Sequence, residues 1–205
     1  MRQKLLVATR NTGKISEFAD MFADFKLEWI GLGDLEIDLK IAETGATFQE
    51  NAIIKATGYA AASGFLTLAD DSGLEVDALN GRPGVNTARY GGLGLTPVQR
   101  YELLLENLES VPMAERSARF RCVIALASGE GVLGTAAGIC EGWIAQEPAG
   151  TGGFGYDPIF LLPDRMKTMA ELPAVEKHLI SHRGQAIAEI APLLRQVLAE
   201  QSDSE

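Results

Sequence analysis

Apolar and polar positions along this chain follow two rhythms, and the places where they change divide it into elements. Leu5-Leu6-Val7-Ala8 is a short, unbroken apolar run that predicts a buried strand over Lys4–Thr9. After a turn at Arg10–Gly13, Ile15, Phe18, Ala19 and Phe22 recur on one face at helical spacing, predicting a helix from Lys14 to about Ala23. Short strand-like stretches follow at Leu27–Ile30 and Glu36–Ile41. Thr47 with Glu50 three residues later reads as a capping box, opening a helix that runs to about Ala62 and stops at Ser63-Gly64. Phe65–Ala69 and Leu74–Leu79 read as two strands, with Ser72-Gly73 as the end of the first.

The second half is more strand-rich. A Gly-rich loop spans Asn80–Gly94, and Thr96-Pro97 opens a helix over Pro97–Leu108. Arg119–Ala127 and Val132–Ile144 form a predicted hairpin about Ser128–Gly131. A second Gly-rich loop, Gly150–Pro158, leads into a strand at Ile159–Leu162. Ile187, Ile190, Leu194 and Val197 make one apolar stripe on a final helix, in which Pro192 predicts a kink or break. Gln201–Glu205 is expected to be disordered. Early alternation of strands and helices with a late hairpin predicts an α/β fold with a mixed sheet. No linker or internal repeat divides residues 1–205, so a single domain is expected.

Composition narrows the classes. With 205 residues the chain can build a substantial core, and a net charge of −10 argues against broad binding to nucleic acid or an anionic membrane. A small phosphorylated ligand needs only a local cationic pocket and is not excluded. Cys122 and Cys140 sit far apart in apolar runs without metal-ligand spacing, the pattern of reduced core thiols. Leu5–Ala8 is too short for a signal segment and no apolar run approaches a membrane span, so the cytosol is the expected compartment.

Three places carry candidate chemistry. Asp70 and Asp71 lie between apolar runs where charge is costly to bury. They are expected to converge where the strand ends, either as a polar turn or as a carboxylate pair holding a hard cation and a water. Thr9-Arg10-Asn11-Thr12-Gly13-Lys14 joins a strand to a helix start, where backbone N–H groups and Lys14 suit an anion. It is not a Walker A loop, because Ala8 and Ile15 stand where Gly and Ser or Thr are required. Lys14 opposes the helix dipole, which a bound phosphate would justify. Gly152–Pro158 presents Phe154 and Tyr156 among glycines, which suits either a stacked base or a tight turn packing its aromatics inward. Lys177, His182 and Arg183 lie around the entry to the last helix, where His182 and Arg183 are candidate donors to a ligand.

Five segments together resemble the Ham1-like inosine triphosphate pyrophosphatase family: ATRNTGK, AETGATFQENAIIKA, ADDSGLEVDALNGRPGVNTARY, EPAGTGGFGYDPIF and EKHLISHRGQA, in the family's order from Ala8 to Ala186. Arg10, where bacterial relatives usually carry a small residue, and Thr87, where Ser is commoner, are departures. The resemblance implies an elongated mixed β-sheet flanked by helices, with two lobes and an active-site cleft between them. It implies Mg²⁺-dependent hydrolysis of inosine, deoxyinosine and xanthosine triphosphates to the monophosphate and pyrophosphate, by a homodimer.

On that resemblance Asp71 is the general base, and Glu43, Asp71 and Asp70 are the metal ligands, base and ligand not being separable by sequence. Lys14, Lys55 and Lys177 would offset triphosphate charge. Phe154 would stack on the purine, His182 and Arg183 would donate to its 6-oxo group, and Ser72 with the backbone of Phe154, Gly155, Tyr156 and Asp157 would complete the pocket. Two alternatives stand beside this: a related pyrophosphatase for a modified pyrimidine or 7-methylguanine nucleotide, and a non-catalytic nucleotide-binding module. A haloacid-dehalogenase-type phosphatase is excluded, since DDSG is not its nucleophile motif.

Overall fold

The computed structural model describes residues 3–25, 27–35 and 39–202. Eight strands form one mixed sheet in the order β2-β1-β3-β5-β6-β7-β8, with β4 paired to β3. The strands are β1 (Gln3–Val7), β2 (Leu27–Gly31), β3 (Leu66–Val76), β4 (Arg82–Pro83), β5 (Ser117–Ser128), β6 (Gly131–Ile144), β7 (Phe160–Leu162) and β8 (Lys167–Thr168). The α-helices are α1 (Thr12–Met21), α2 (Phe48–Ser63), α3 (Pro97–Asn107), α4 (Ala174–Ile180) and α5 (His182–Ser202). β1 is parallel to both β2 and β3, as expected of strands joined through helical crossovers. β3–β4, β6–β7 and β7–β8 are antiparallel.

The chain divides into two compact units. The first comprises residues 1–71, 122–138 and 183–205. Its core packs Leu5 and Val7 of β1, Phe18 and Phe22 of α1, Leu66 and Leu68 of β3, Cys122, Ile124 and Leu126 of β5, and Ile187, Ile190 and Leu194 of α5. The second comprises residues 72–121 and 139–182 and gathers Leu74, Val76, Leu104, Phe120, Ile144, Ile159 and Phe160. Boundaries between the units fall inside β3, β5 and β6 and at the first turn of α5.

Local rules account for α2 closely. The Thr47 hydroxyl accepts from Glu50 N while the Glu50 carboxylate accepts from Thr47 N, and Gly64 ends the helix at φ 72°, a left-handed conformation that glycine adopts without penalty. Four expectations need correction, in whole or in part. β3 does not end at Ser72-Gly73; it runs through 11 residues, and its second half is paired with β4 through Glu75↔Pro83 and Val76↔Arg82. Pro192 does not break α5, which continues to Ser202 while Ile187, Ile190 and Leu194 stay buried. That burial outweighs the lost backbone bond. Of the predicted strand at 36–41, positions 36–38 lie outside the described residues, and 39–41 adopt no strand. The expected disorder at 201–205 is not met at 201–202, which close α5; positions 203–205 lie outside the described residues.

Candidate active site

The continuity of β3 decides the geometry of its two acids. Successive side chains on a strand point to opposite faces, so Asp70 and Asp71 diverge instead of converging. Each enters a different group of charges within the first unit.

Asp70 faces α1 and the start of α5. Its side chain is fully buried, and Oδ2 accepts from Lys14 Nζ at 2.8 Å and from Arg183 Nη2 at 3.2 Å. Arg183 Nη1 also binds Glu17 Oε2 at 2.6 Å, joining α5 to α1. Burial alone would raise the Asp70 carboxyl, but Lys14, Arg183 and Lys55 outweigh it and hold the group well below the usual carboxylate range. The carboxylate is therefore a fixed anion. It also supplies the reason for Lys14 at a helix N-terminus: the ammonium answers Asp70, whether or not phosphate is present. Oδ2 of Asp70 is thus held by Lys14 and Arg183, whereas Asp71 pairs with Lys55 and accepts from Asn51.

Asp71 faces α2. Its Oδ1 lies 3.4 Å from Lys55 Nζ, and the same ammonium is 3.1 Å from Glu43 Oε2. Asn51, one helical turn before Lys55, donates from Nδ2 to Asp71 Oδ2 at 3.1 Å, and its Oδ1 accepts from Gly45 N at 2.8 Å. Burial raises the Asp71 carboxyl above its ordinary value, with the neighbouring Glu43 adding to the rise; Lys55, Lys14 and the Asn51 bond offset it only in part. Burial would lower the Lys55 ammonium, yet Asp71, Asp70 and Glu43 carry it above its ordinary value. Adjacent acids on one strand are thus pushed in opposite directions.

This second group tests the fit of Mg²⁺. No cluster of three or more His, Cys, Asp or Glu side chains suited to a metal exists among the described residues. Glu43 and Asp71 do converge on one positive charge, that of Lys55, so two hard oxygen donors share a cation position. Mg²⁺ keeps waters and takes phosphate oxygens, so a pair of carboxylates suffices. Charge points the same way: Lys14, Lys55 and Arg183 face four carboxylates, Glu17, Glu43, Asp70 and Asp71. A triphosphate entering this group needs a further cation.

The Thr9–Lys14 turn is built as a helix entry. Asn11 caps α1, its side chain accepting from Lys14 N at 3.2 Å, and Thr9 Oγ1 accepts from Asn11 N at 3.2 Å. Ala8 N donates to Leu68 O at 2.8 Å, which sets this turn beside β3 two residues before Asp70. Arg10, Asn11 and Thr12 are exposed, and Gly13 and Lys14 are half-buried.

The remaining predicted residues belong to the second unit. Asp157 Oδ2 accepts from Phe154 N at 2.8 Å and from Lys177 Nζ at 2.7 Å, and that ammonium sits 4.9 Å from the centroid of the Phe154 ring. Lys177 is therefore grouped with the aromatic loop, and its ammonium meets the Asp157 carboxylate. Tyr156 is buried and donates to Thr87 O at 3.1 Å, so this aromatic packs inward. Gly155 takes φ 64°, and Ser72 is half-buried on β3. His182 stacks on Phe120, with centroids 4.7 Å apart and planes 18° apart. Arg183, its neighbour in sequence, falls in the first unit with a side chain only 2% exposed.

Asn51 and Glu17 were not foreseen. Asn51 stands four residues before Lys55 and so shares its helix face, a spacing that marks it once Lys55 is chosen. Glu17 reads as an ordinary helical acid, and its partner Arg183 lies 166 positions away.

Comparison with known proteins gives a consistent answer. The Ham1 family profile matches residues 5–193. The chain is 48% identical to a "dITP/XTP pyrophosphatase" of Shigella flexneri over 94% of this chain and 98% of that one. It is 46% identical to a protein of the same name from Geobacillus kaustophilus over 92% of each. Among solved structures, a HAM1 protein from Coxiella burnetii superposes with a TM-score of 0.85 at 43% identity, covering 95% of this chain and 99% of that one. With a family profile spanning nearly its whole length, and relatives this similar over nearly all of theirs, the chain belongs to the Ham1 family.

Proposed function

We propose that the protein hydrolyses non-canonical purine nucleoside triphosphates, those of inosine, deoxyinosine and xanthosine, to the monophosphate and pyrophosphate with Mg²⁺. The observation that carries this reading is the convergence of Glu43 and Asp71 on one cation position, held by Lys55. The substrate class is supported by the relatives' name, dITP/XTP pyrophosphatase.

Glu43 and Asp71 would hold the Mg²⁺, which when bound neutralises phosphate charge and polarises the phosphoryl oxygens. The start of α1 offers backbone N–H groups to the triphosphate. Asp71 takes the proton of the attacking water as that oxygen bonds to the α-phosphorus. The bond from this phosphorus to the bridging oxygen breaks, and pyrophosphate leaves. Positioning and charge stabilisation supply the acceleration in phosphoryl transfer of this kind. Inosine and xanthosine present an acceptor at position 6 where adenosine presents a donor. His182 and Arg183 are assigned to it, with Phe154 as the stacking face. A site built to bond one edge leaves its own groups unmet by the other.

The test is pyrophosphate release from a panel of triphosphates with and without Mg²⁺. Inosine and xanthosine triphosphates are expected to exceed ATP by about 10²-fold or more in kcat/KM, with loss of turnover on chelation. Equal use of ATP, preference for a pyrimidine or 7-methylguanine nucleotide, or turnover untouched by chelation would overturn the reading.

A further inference from the structure

Asn51 belongs to no part of the mechanism above, yet it is almost wholly buried at the centre of the Asp71 group. The orientation of its amide is fixed by chemistry. A backbone N–H can only donate, so the Asn51 atom 2.8 Å from Gly45 N must be the carbonyl oxygen. The amide nitrogen then faces Asp71 Oδ2 and can only donate to it. One oxygen of Asp71 is thereby capped. The other, Oδ1, is the one turned to the cation position shared with Glu43.

Gly45 is part of the same device. A Cβ there would stand 2.6 Å from Glu50 Cβ and 2.8 Å from Asn51 Oδ1, so only glycine lets this backbone N–H reach the amide. Gly45 lies two residues after Glu43. One side chain therefore ties the loop carrying Glu43 to the rotation of Asp71.

We infer that Asn51 is a positioning residue: it locks Asp71 so that Oδ1 is the oxygen offered to the reacting water and cation, and through Gly45 it keeps Glu43 in register with that oxygen. The inference rests on the proposed role of Asp71. Neither Gly45 nor Asn51 touches the reacting atoms, and both act through the carboxylates.

The experiment compares Asn51→Asp, Asn51→Leu, Asp71→Asn and the double variant Asn51→Asp with Asp71→Asn. Each is measured for kcat and KM of pyrophosphate release, melting temperature, and calorimetric affinity for a non-hydrolysable inosine triphosphate analogue. Asn51→Asp keeps the acceptor for Gly45 N but turns a carboxylate towards Asp71. Asn51→Leu removes both bonds without adding charge and serves if the first variant folds poorly. Both are expected to lower kcat by about 10²-fold, the scale of a small misplacement of a reacting group, with KM and analogue affinity within about threefold. The double variant restores an amide-to-carboxylate bond with the partners exchanged. It should recover melting temperature relative to Asn51→Asp while turnover stays lost.

Near-normal kcat in Asn51→Asp or Asn51→Leu, alongside an inactive Asp71→Asn, would overturn the positioning role and leave the role of Asp71 standing. A parallel loss of kcat, analogue affinity and melting temperature that the exchange does not repair would reduce Asn51 to support of the fold. Full turnover in Asp71→Asn would remove the base assignment and this inference with it.

Discussion

Two arginines, one in each unit, make the same kind of contact with opposite weight. Arg183 in the first unit binds Glu17 and Asp70 from a side chain 2% exposed, among groups of which Asp70 is fully buried. Arg119 in the second unit binds Glu75, Asp77 and Glu141 from a side chain 28% exposed, and the carboxylates of Asp77 and Glu141 stand largely in water. Arg119 draws on three carboxylates. Burial still gives Arg183 the greater weight, because water screens the second group, while the first has no solvent to replace a lost partner. The number of ion pairs thus says little about where this protein is vulnerable.

The comparison breaks first at Arg183. Arg183→Ala removes a buried guanidinium from both Glu17 and Asp70, leaving Asp70 its pair with Lys14, and is expected to cost about 3–5 kcal/mol, a fall in melting temperature on the order of 10 °C for a chain of this size. A loss under about 1 kcal/mol in denaturant titration would mean that water or Lys14 replaces the guanidinium, and the contrast would fail. Arg119→Ala should cost no more than about 1 kcal/mol by the same titration and less in high salt, since exposed ion pairs are screened. A cost matching that of Arg183→Ala would show the exposed network to be cooperative.

The smallest effect is in pH. The hydrogen bond from Ser117 to Asp77, with help from Arg119, holds the Asp77 carboxyl below its ordinary value despite some desolvation. A depressed carboxyl contributes stability that is present above the unfolded pKa, near 3.9, and is lost as pH falls through the folded value. Asp77→Asn should therefore remove that small contribution at neutral pH and flatten the acid side of the stability curve below about pH 4. Melting curves from pH 2.5 to 7 with an unchanged acid slope would remove Asp77 from that role.

The same contrast explains which features could be read from sequence. α2 was legible almost to the residue because each of its ends is set locally: Thr47 with Glu50 three positions on, and Gly64 with Ala60 four positions back. The hairpin of β5 and β6 was legible for the same reason. β3 was misread at its middle: Ser72-Gly73 is a local stop signal, and pairing of Glu75 and Val76 with β4 keeps the strand going. That single error placed Asp70 with Asp71 in one cluster, whereas strand alternation puts them in two. Lys14 looked unexplained because its partner Asp70 is distant in sequence. Glu17 was invisible altogether, since an acid on an amphipathic helix acquires meaning only when Arg183 arrives from the far end of the chain. Local chemistry was visible in the sequence, and long-range neutralisation of charge was not.

The two cysteines matter for handling the protein. Both are buried, and desolvation pushes the Cys122 thiol up to about 12 and the Cys140 thiol up to about 11. At neutral pH neither offers appreciable thiolate to an alkylating or maleimide reagent while the fold is intact. The native chain is therefore already a clean background for site-selective labelling: one cysteine introduced on the surface would take a fluorophore or spin label, with Cys122 and Cys140 left in place.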